Sequence, residues 1–403
     1  MTGTNWRMVG IAFGAGVVAA MHIGKLPPAI GAIREDLGAG LVMAGWIAST
    51  ISAVGTLTGL VAGGLADRAG PRRTLVGGLL ALAFGSLAGS LATAPALMLL
   101  ARFVEGIGFT ATTVAGGILI ARATSEADRR RAMARWATFM PLGFTAMLLV
   151  SALMTGPFGW RPVWLIAAGI TLLWAGIVLR ATGAGDGGEG RRDGGRSLGA
   201  SLALDLGRTG AVLAAVCYGL YAAQHLGMMT WLPTILADTR ATGPLAAALV
   251  TAMVLMANAG GNLLAARALG RGAPIWRLLA LGSLGMLCVE LLVFSAGLPD
   301  ALRLALLVLF GLAGGLIPAA ALAAAPVYAP SPALVGVLTG LMVMATNLGQ
   351  LAGPPLMASA RVAAGDWSGT VLLLGGLAVA ALVSALASAR HERAARAPAP
   401  LPG

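Results

Sequence analysis

Long apolar runs separated by short polar breaks set the pattern of hydrophobic and polar positions along this chain of 403 residues. We count roughly twelve runs of about 20 residues, the length at which an α-helix crosses a bilayer. The runs cover residues 8–32, 41–65, 74–93, 96–121, 132–155, 162–180, 209–236, 245–266, 275–296, 302–324, 333–358 and 369–389. The alternation typical of strands is absent, so the pattern predicts an all-α membrane protein with twelve transmembrane helices.

A short internal repeat divides the chain into halves. The phrase AAMHIG at residues 19–24 returns as AAQHLG at residues 222–227, which places His22 and His225 at matching positions 203 residues apart. Repeated halves around a polar site are one of the arrangements that transporters use. We therefore predict an N-terminal six-helix bundle (1–180), a glycine-rich cytoplasmic linker (181–208), a C-terminal six-helix bundle (209–389) and a disordered tail (390–403).

Composition and charge agree with a membrane protein. The chain is 58% hydrophobic and 10% charged, which requires lipid as its solvent. Its net charge of +12 does not indicate nucleic acid, because twenty arginines fall in alternate loops on one side and five on the other. This asymmetry favours a multi-pass protein of a bacterial inner membrane with both termini in the cytoplasm. Cys217 and Cys288 lie inside apolar runs and are expected to be buried.

Ionisable residues inside the apolar runs are the candidates for function, because such residues are costly in lipid. Lys25 is the only lysine in the chain, and Arg102 and Glu105 lie three residues apart on one helical face, where they can pair. At about 1.5 Å per helical residue, Lys25, Arg102 and His225 lie roughly 24 to 28 Å from the cytoplasmic ends of their runs. They therefore share one layer of the membrane. Two cations and one carboxylate leave a positive surplus, which favours an anionic substrate.

From this pattern we predict substrate-binding and proton-coupling residues. The substrate-binding candidates are His22, Lys25, Arg102, Glu105, Tyr221, Gln224, His225 and Asn347. The proton-coupling candidates are Glu105, His22 and His225, whose side chains change charge near neutral pH or when buried.

Simpler roles for these residues stay open. Lys25 can reach the outer interface, Arg102 can hold backbone carbonyls of the first helix, and the histidines can be packing residues. Glu290 is expected to be peripheral and is left out of the site.

One polar loop carries the signature of a known family. Between the second and third runs the chain reads GGLADRAGPRRT, residues 63–74. This loop resembles the signature G, x, L, A, D, R, x, G, R, R of the major facilitator superfamily, with Pro71 inserted before the basic pair. The resemblance implies a conformational latch that stabilises the outward-facing state. Its residues here are Gly63, Asp67, Arg68, Gly70, Arg72 and Arg73.

Further stretches extend the resemblance over most of the chain. RFVEGIGF at residues 102–109 and GWRPVW at residues 159–164 are similar to the family's fourth helix and its entry to the sixth. The fifth helix, with MPLGF at residues 140–144, departs from the motif of drug/proton antiporters. WLPTIL at residues 231–236 resembles cyanate-type permeases for small organic anions. The resemblance implies that helices one, four, seven and ten line a central cavity.

We therefore expect a secondary active transporter of a small organic anion or weak acid, working by alternating access with proton coupling. Proton-driven drug efflux, or a non-transporting receptor or scaffold on the same fold, are the alternatives. A nucleotide loop, a metal cluster and a nucleophile with its base are not evident in the sequence, so we expect no enzyme, no cofactor and no metal. The expected partners are a small-molecule substrate and the lipid bilayer, with the chain acting as a monomer.

Overall fold

The structure, a computed structural model, describes residues 3–58, 70–181, 209–294, 297–329 and 334–396. Within these ranges the chain forms sixteen α-helices, two 3-10 turns and no strand. The helices are α1 (Trp6–Gly24), α2 (Ile30–Leu37), α3 (Leu41–Ser49), α4 (Ala53–Thr58), α5 (Pro71–Ser90), α6 (Pro95–Ala123), α7 (Glu126–Trp136), α8 (Phe139–Phe158), α9 (Arg161–Ala181), α10 (Thr209–Arg240), α11 (Pro244–Gly270), α12 (Ile275–Val293), α13 (Asp300–Gly314), α14 (Leu316–Tyr328), α15 (Val335–Ala364) and α16 (Gly369–Arg396).

In the described part of the chain, twelve helical segments are long and apolar enough to cross a membrane, which confirms the predicted all-α membrane fold. Two shorter helices joined end to end make each of the first, second and tenth segments, and α7 lies outside the set. Large apolar side chains remain exposed on these helices, as Leu57, Phe84 and Leu372 show. Exposed surface of this kind suits lipid rather than water as the solvent.

The first segment is interrupted after α1. The helix ends at Gly24, Lys25 follows as its cap residue, and a 3-10 turn over Pro27–Ala29 leads into α2. Proline lacks the N–H that an α-helix needs, which explains the break at Pro27 and Pro28. By contrast, α10 runs through Pro233, and α15 runs through Pro354 and Pro355.

Backbone contacts group the described helices into two compact units. The first unit comprises α1 to α9 together with residues 228–252 and 354–359. The second unit comprises the rest of the second half, which includes residues 253–353. This grouping differs from our two six-helix bundles, because short pieces of α10, α11 and α15 group with the first half. The predicted linker lies outside the described residues except for Ala181, where α9 ends.

Small side chains let the helices of the first unit pack closely. Its core lies where α1, α5, α6 and α9 meet, around Ala15, Ala19, Leu79, Ala115 and Ala175. Apolar burial does not drive association in lipid, so close van der Waals packing of small residues carries the stability of such an interface.

The second half differs from two of our predictions, the disorder of the tail and the burial of one of the two cysteines. α16 continues to Arg396, so residues 390–396 are helical, whereas we had expected disorder from residue 390. The buried carboxylate of Glu392 accepts the backbone N–H groups of Ile275 and Trp276, both at 2.9 Å, and thereby caps α12. Cys217 is buried as expected, but Cys288 is exposed on α12, so its predicted burial was wrong.

Gly85 on α5 faces α6 at close range. A Cβ atom at this position would lie 2.8 Å from Cγ of Glu105 and 2.9 Å from the carbonyl oxygen of Ala101. Gly77 lies on the same helix with nothing within 4 Å of its Cβ position. The two glycines therefore form a matched pair for testing this helix contact.

We expect Gly85→Ala to lower the stability of the protein by about 1–3 kcal/mol, because the added methyl forces α5 away from α6. Gly77→Ala should be neutral or add up to about 1 kcal/mol through helix propensity. Melting temperatures of the two variants in detergent measure the difference. Equal melting temperatures would show that Gly85 is not needed for the contact.

Candidate functional site

Four of the predicted site residues meet inside the first unit. His22 and Lys25 come from the end of α1, and Arg102 and Glu105 come from α6. At most 1% of the surface of each is exposed. A three-residue spacing on each helix turns both members of a pair to one face, and the two faces meet at the Glu105 carboxylate. We name these four residues the buried charge cluster.

Lys25 uses all three of its N–H groups. The ammonium donates to the hydroxyl of Ser86 at 2.8 Å, to Nδ1 of His22 at 3.3 Å and to Oε1 of Glu105. It also lies 4.5 Å from the ring centroid of Trp164. An ammonium has three donors, so the charged form of Lys25 is fully satisfied in this position.

Arg102 links the charge cluster to the backbone of two other helical segments. It donates to the carbonyls of His22 at 2.8 Å, Ile47 at 3.1 Å and Ala48 at 3.4 Å, and to Oε2 of Glu105. The predicted pairing of Arg102 with Glu105 is therefore observed, and Arg102 also holds one carbonyl of the first helix, that of His22, as in its simpler predicted role. A buried guanidinium with these partners fixes where α1, α3 and α6 meet.

The hydrogen bonds of His22 indicate its tautomer. Its Nε2 lies 2.9 Å from the hydroxyl of Thr171, and that hydroxyl donates its own hydrogen to the carbonyl of Ala167 at 2.7 Å. Nε2 therefore carries the ring hydrogen, which leaves Nδ1 to accept from Lys25. With this tautomer, a neutral imidazole gives both ring nitrogens of His22 and the Thr171 hydroxyl a hydrogen-bond partner.

The charge balance of the cluster follows from these contacts. Each oxygen of Glu105 is paired with a different cation, Oε1 with Lys25 and Oε2 with Arg102. With His22 neutral, two positive charges face one negative charge in a fully buried position. Such a surplus is expensive in an apolar interior, and it attracts an anion.

Three supporting residues of this cluster escaped the sequence analysis. Ser86 accepts from Lys25 and donates to the carbonyl of Trp164 at 2.8 Å, and Thr171 orients His22. Small hydroxyl residues in an apolar helix give no pattern that marks them as partners. Trp164 belongs to the GWRPVW stretch at residues 159–164, so the motif was visible although its contact with Lys25 was not.

The remaining predicted site residues lie in the second unit. The rings of Tyr221 and His225 stack with centroids 5.4 Å apart, and Asn258 donates to the Tyr221 hydroxyl at 2.9 Å. Gln224 is buried and donates to a carbonyl of its own helix, that of Leu220.

Tyr221 and His225 thus form a small aromatic group. Like Gln224, Asn347 donates to a carbonyl of its own helix, that of Val343 at 2.8 Å. The hydrogen bonds described for Asn347 do not connect it to Tyr221 or His225.

The predicted latch is only partly described. Gly63, Asp67 and Arg68 lie outside the described residues. Gly70 has φ +85°, in the region that favours glycine, and α5 begins directly after it with Pro71 at its first position. Arg72 donates to the carbonyl of Leu179 at 3.3 Å, which joins the start of α5 to the end of α9.

A cavity of about 310 Å³ in the first unit does not overlap the charge cluster. It lies beside α1 and α7, and its lining includes Trp6, Phe13, Trp136 and Arg135. None of the four residues of the charge cluster borders it. The cluster is therefore a packed polar core rather than the wall of this cavity.

The fold defines a multi-pass membrane protein built entirely from helices in its described residues, with a polar core buried in its first half. The family is identified by comparison with known proteins. The sequence profile of the Major Facilitator Superfamily matches residues 12–354. The chain therefore belongs to the major facilitator superfamily of membrane transporters.

Two relatives match over most of their length. The chain is 26% identical to the 3-(3-hydroxy-phenyl)propionate transporter of Escherichia coli over 94% of this chain and 92% of that protein. It is 29% identical to human monocarboxylate transporter 11 over 93% of this chain and 81% of that protein. Six other curated relatives are matched over only 23 to 44% of their own length.

A solved structure shares the fold. The crystal structure of the nucleoside transporter NupG superposes with a TM-score of 0.79, covering 95% of this chain and 100% of that one at 14% sequence identity. Similarity at this level of identity confirms the fold alone.

The charge balance of the cluster predicts which substitutions the first unit tolerates. Glu105→Gln leaves two buried cations without a counter-charge and should cost about 3–5 kcal/mol. Lys25→Met should cost less, because Arg102 and Glu105 then balance. The double variant restores the original surplus, so it should be more stable than Glu105→Gln alone. Melting temperatures of the three variants measure this coupling, and strictly additive effects would contradict it.

Proposed function

We propose that this transporter carries a small organic anion or weak acid by alternating access and couples its movement to protons. One observation carries the proposal: two buried cations, Lys25 and Arg102, share the single carboxylate of Glu105. An anionic substrate supplies the negative charge that the cluster lacks. Lys25 is the cation suited to this exchange, since Arg102 is fixed by three backbone carbonyls and Lys25 by side chains alone.

Proton coupling, in this proposal, uses groups that are already linked by hydrogen bonds. Nδ1 of His22 lies 3.3 Å from the Lys25 ammonium and 3.3 Å from Oε1 of Glu105, so a proton leaving Lys25 has an acceptor within reach. A substrate carboxylate that draws Lys25 away from Glu105 frees that oxygen to take a proton. His225 is the corresponding candidate in the second unit, where its ring stacks on Tyr221.

The chemistry of two relatives supports an anionic substrate. The protein from Escherichia coli is a transporter of 3-(3-hydroxy-phenyl)propionate, and the human protein is a monocarboxylate transporter by name. Both names describe carboxylates, the group that a lysine at the charge cluster would bind. We extend this substrate class, but neither specific compound, to the present chain.

A transport assay tests the substrate class. Purified protein in proteoliposomes should accumulate labelled 3-(3-hydroxyphenyl)propionate when the pH outside is lower than inside, and a protonophore should abolish accumulation. Lys25→Met should reduce uptake by at least about tenfold, because it removes the surplus charge that the anion balances. Gly77→Ala on α5 is the control, since it touches nothing near the cluster.

The alternatives give different results in the same vesicles. Uptake of a cationic dye such as ethidium without uptake of the anion would indicate drug efflux and reject the proposal. Binding of the anion without any uptake would indicate a receptor. Anion uptake that ignores the pH gradient would retain the substrate class and reject proton coupling.

We also propose that both termini face the cytoplasm and that the chain works as a monomer. The excess of arginine in alternate loops supports the orientation. A green fluorescent protein fused to the C-terminus in a bacterial host should fluoresce, because this protein folds in the cytoplasm and fails to fold after export. A dark fusion, with an active alkaline phosphatase fusion at the same position, would reverse the orientation.

A further inference from the structure

The described part of the chain buries three glutamates, and their hydrogen bonds differ sharply. Glu105 pairs with two cations, and Glu392 accepts two backbone N–H groups. Glu290 on α12 is completely buried, yet neither of its oxygens has a hydrogen-bond partner among the described residues. Glu290 is therefore the only one of the three whose negative charge nothing compensates.

Burial of Glu290 corrects our expectation that it is peripheral. α12 buries a stripe of residues at helical spacing, and Glu290 continues that stripe one turn after Met286. Met286 itself lies against Gly314 of α13, in the interior of the second unit. A carboxylate without donors in such a place costs several kcal/mol, and binding a proton removes that cost.

Position along the helix gives Glu290 a counterpart in the first half. Glu290 lies 15 residues after the start of α12 at Ile275, and Ser86 lies 15 residues after the start of α5 at Pro71. Ser86 is the residue that accepts a hydrogen bond from Lys25 in the buried charge cluster. In the repeat, Lys25 corresponds to Met228, 203 residues later. Glu290 lies 204 residues after Ser86, one more than the repeat spacing, so the second half has an acid near the position of that hydroxyl and a methionine at the position of the lysine.

We propose that Glu290 is a proton-binding site of the second unit, at which a carboxylic acid forms from carboxylate and proton and releases that proton during transport. The role in transport depends on the proton coupling proposed above, whereas the binding of a proton does not. The second unit would then supply a neutral acid that binds a proton, in addition to the proton transfer proposed for the charge cluster of the first unit.

Charged groups on the helices packed against α12 lie away from Glu290. On α13, the guanidinium of Arg303 contacts the carbonyl of Val293, one helical turn beyond Glu290, and Asp300 lies at the start of that helix. On α16, Glu392 contacts Ile275 at the opposite end of α12. None of these groups forms a hydrogen bond or an ion pair with Glu290 in the structure as described.

Titratable groups on the remaining neighbours also have other contacts. Cys217 of α10 lies 3.7 Å from the hydroxyl of Ser283, two turns before Glu290. Tyr328 of α14 donates to the carbonyl of Ser388 at 3.4 Å. His225 of α10 stacks between Tyr221 and Phe310. The proton on Glu290 is thus not shared with a neighbouring acid or base.

Infrared spectroscopy of the purified full-length protein tests proton binding without any substrate. A protonated carboxyl shows a C=O stretch that a carboxylate lacks, so Glu290→Gln should remove one such band at neutral pH. Glu392→Gln is the matched control: it changes an equally buried glutamate whose carboxylate is fully hydrogen-bonded, so that band should remain. Glu290→Gln should also keep its melting temperature, because an amide imitates the neutral acid.

A transport measurement tests the coupling role. In proteoliposomes, Glu290→Gln should still exchange labelled 3-(3-hydroxyphenyl)propionate for unlabelled compound but should no longer accumulate it in response to a pH gradient. An unchanged infrared band in Glu290→Gln would overturn the site itself. A lost band with undiminished pH-driven accumulation would overturn its role in transport. A wild-type protein that transports no anion would refute the proposed function, while the infrared result would still decide whether Glu290 binds a proton.

Discussion

The first half of this protein depends on the ion pairs of the Glu105 carboxylate. This carboxylate lies in an apolar interior and pairs with Lys25 at the end of α1 and with Arg102 on its own helix, so its removal would leave two buried cations without a counter-charge. Around it the geometry is tightly constrained: Gly85 leaves room for its side chain, and Arg102 extends the network to backbone carbonyls of α1 and α3. The same contacts of Glu105 and Arg102 therefore both pack the helices of this unit and balance its buried charges.

The two halves differ in how their buried polar groups are hydrogen-bonded and how their charges are balanced. The first half satisfies every hydrogen-bonding group of Lys25 and keeps a positive surplus. The second half buries Glu290 without a donor among its described residues, and it stacks the ring of His225 on Tyr221. The described residues of the two halves thus bury opposite kinds of charge, a surplus of cations in the first and a carboxylate in the second.

Much of the fold was predictable, and so was part of the site. Runs of about 20 apolar residues located the twelve helical segments, because a bilayer imposes one length on every helix that crosses it. The three-residue spacing of Arg102 and Glu105 predicted their pairing, since it places both on one helical face. Ser86 and Thr171 stayed hidden, because a hydroxyl that packs as well as an alanine leaves no mark on a hydrophobic pattern.

The sequence by itself determined that this chain is a twelve-helix member of its family with a lysine, an arginine and a glutamate at membrane depth. It could do so because charged side chains and unpaired backbone groups both cost free energy in lipid. Only the tertiary structure decided which of those charges meet. It brought Lys25 and Arg102 to the same carboxylate, capped α12 with Glu392, and buried Glu290 where no described residue donates to it. Those outcomes depend on contacts between helices far apart in the chain, and no local pattern encodes such contacts.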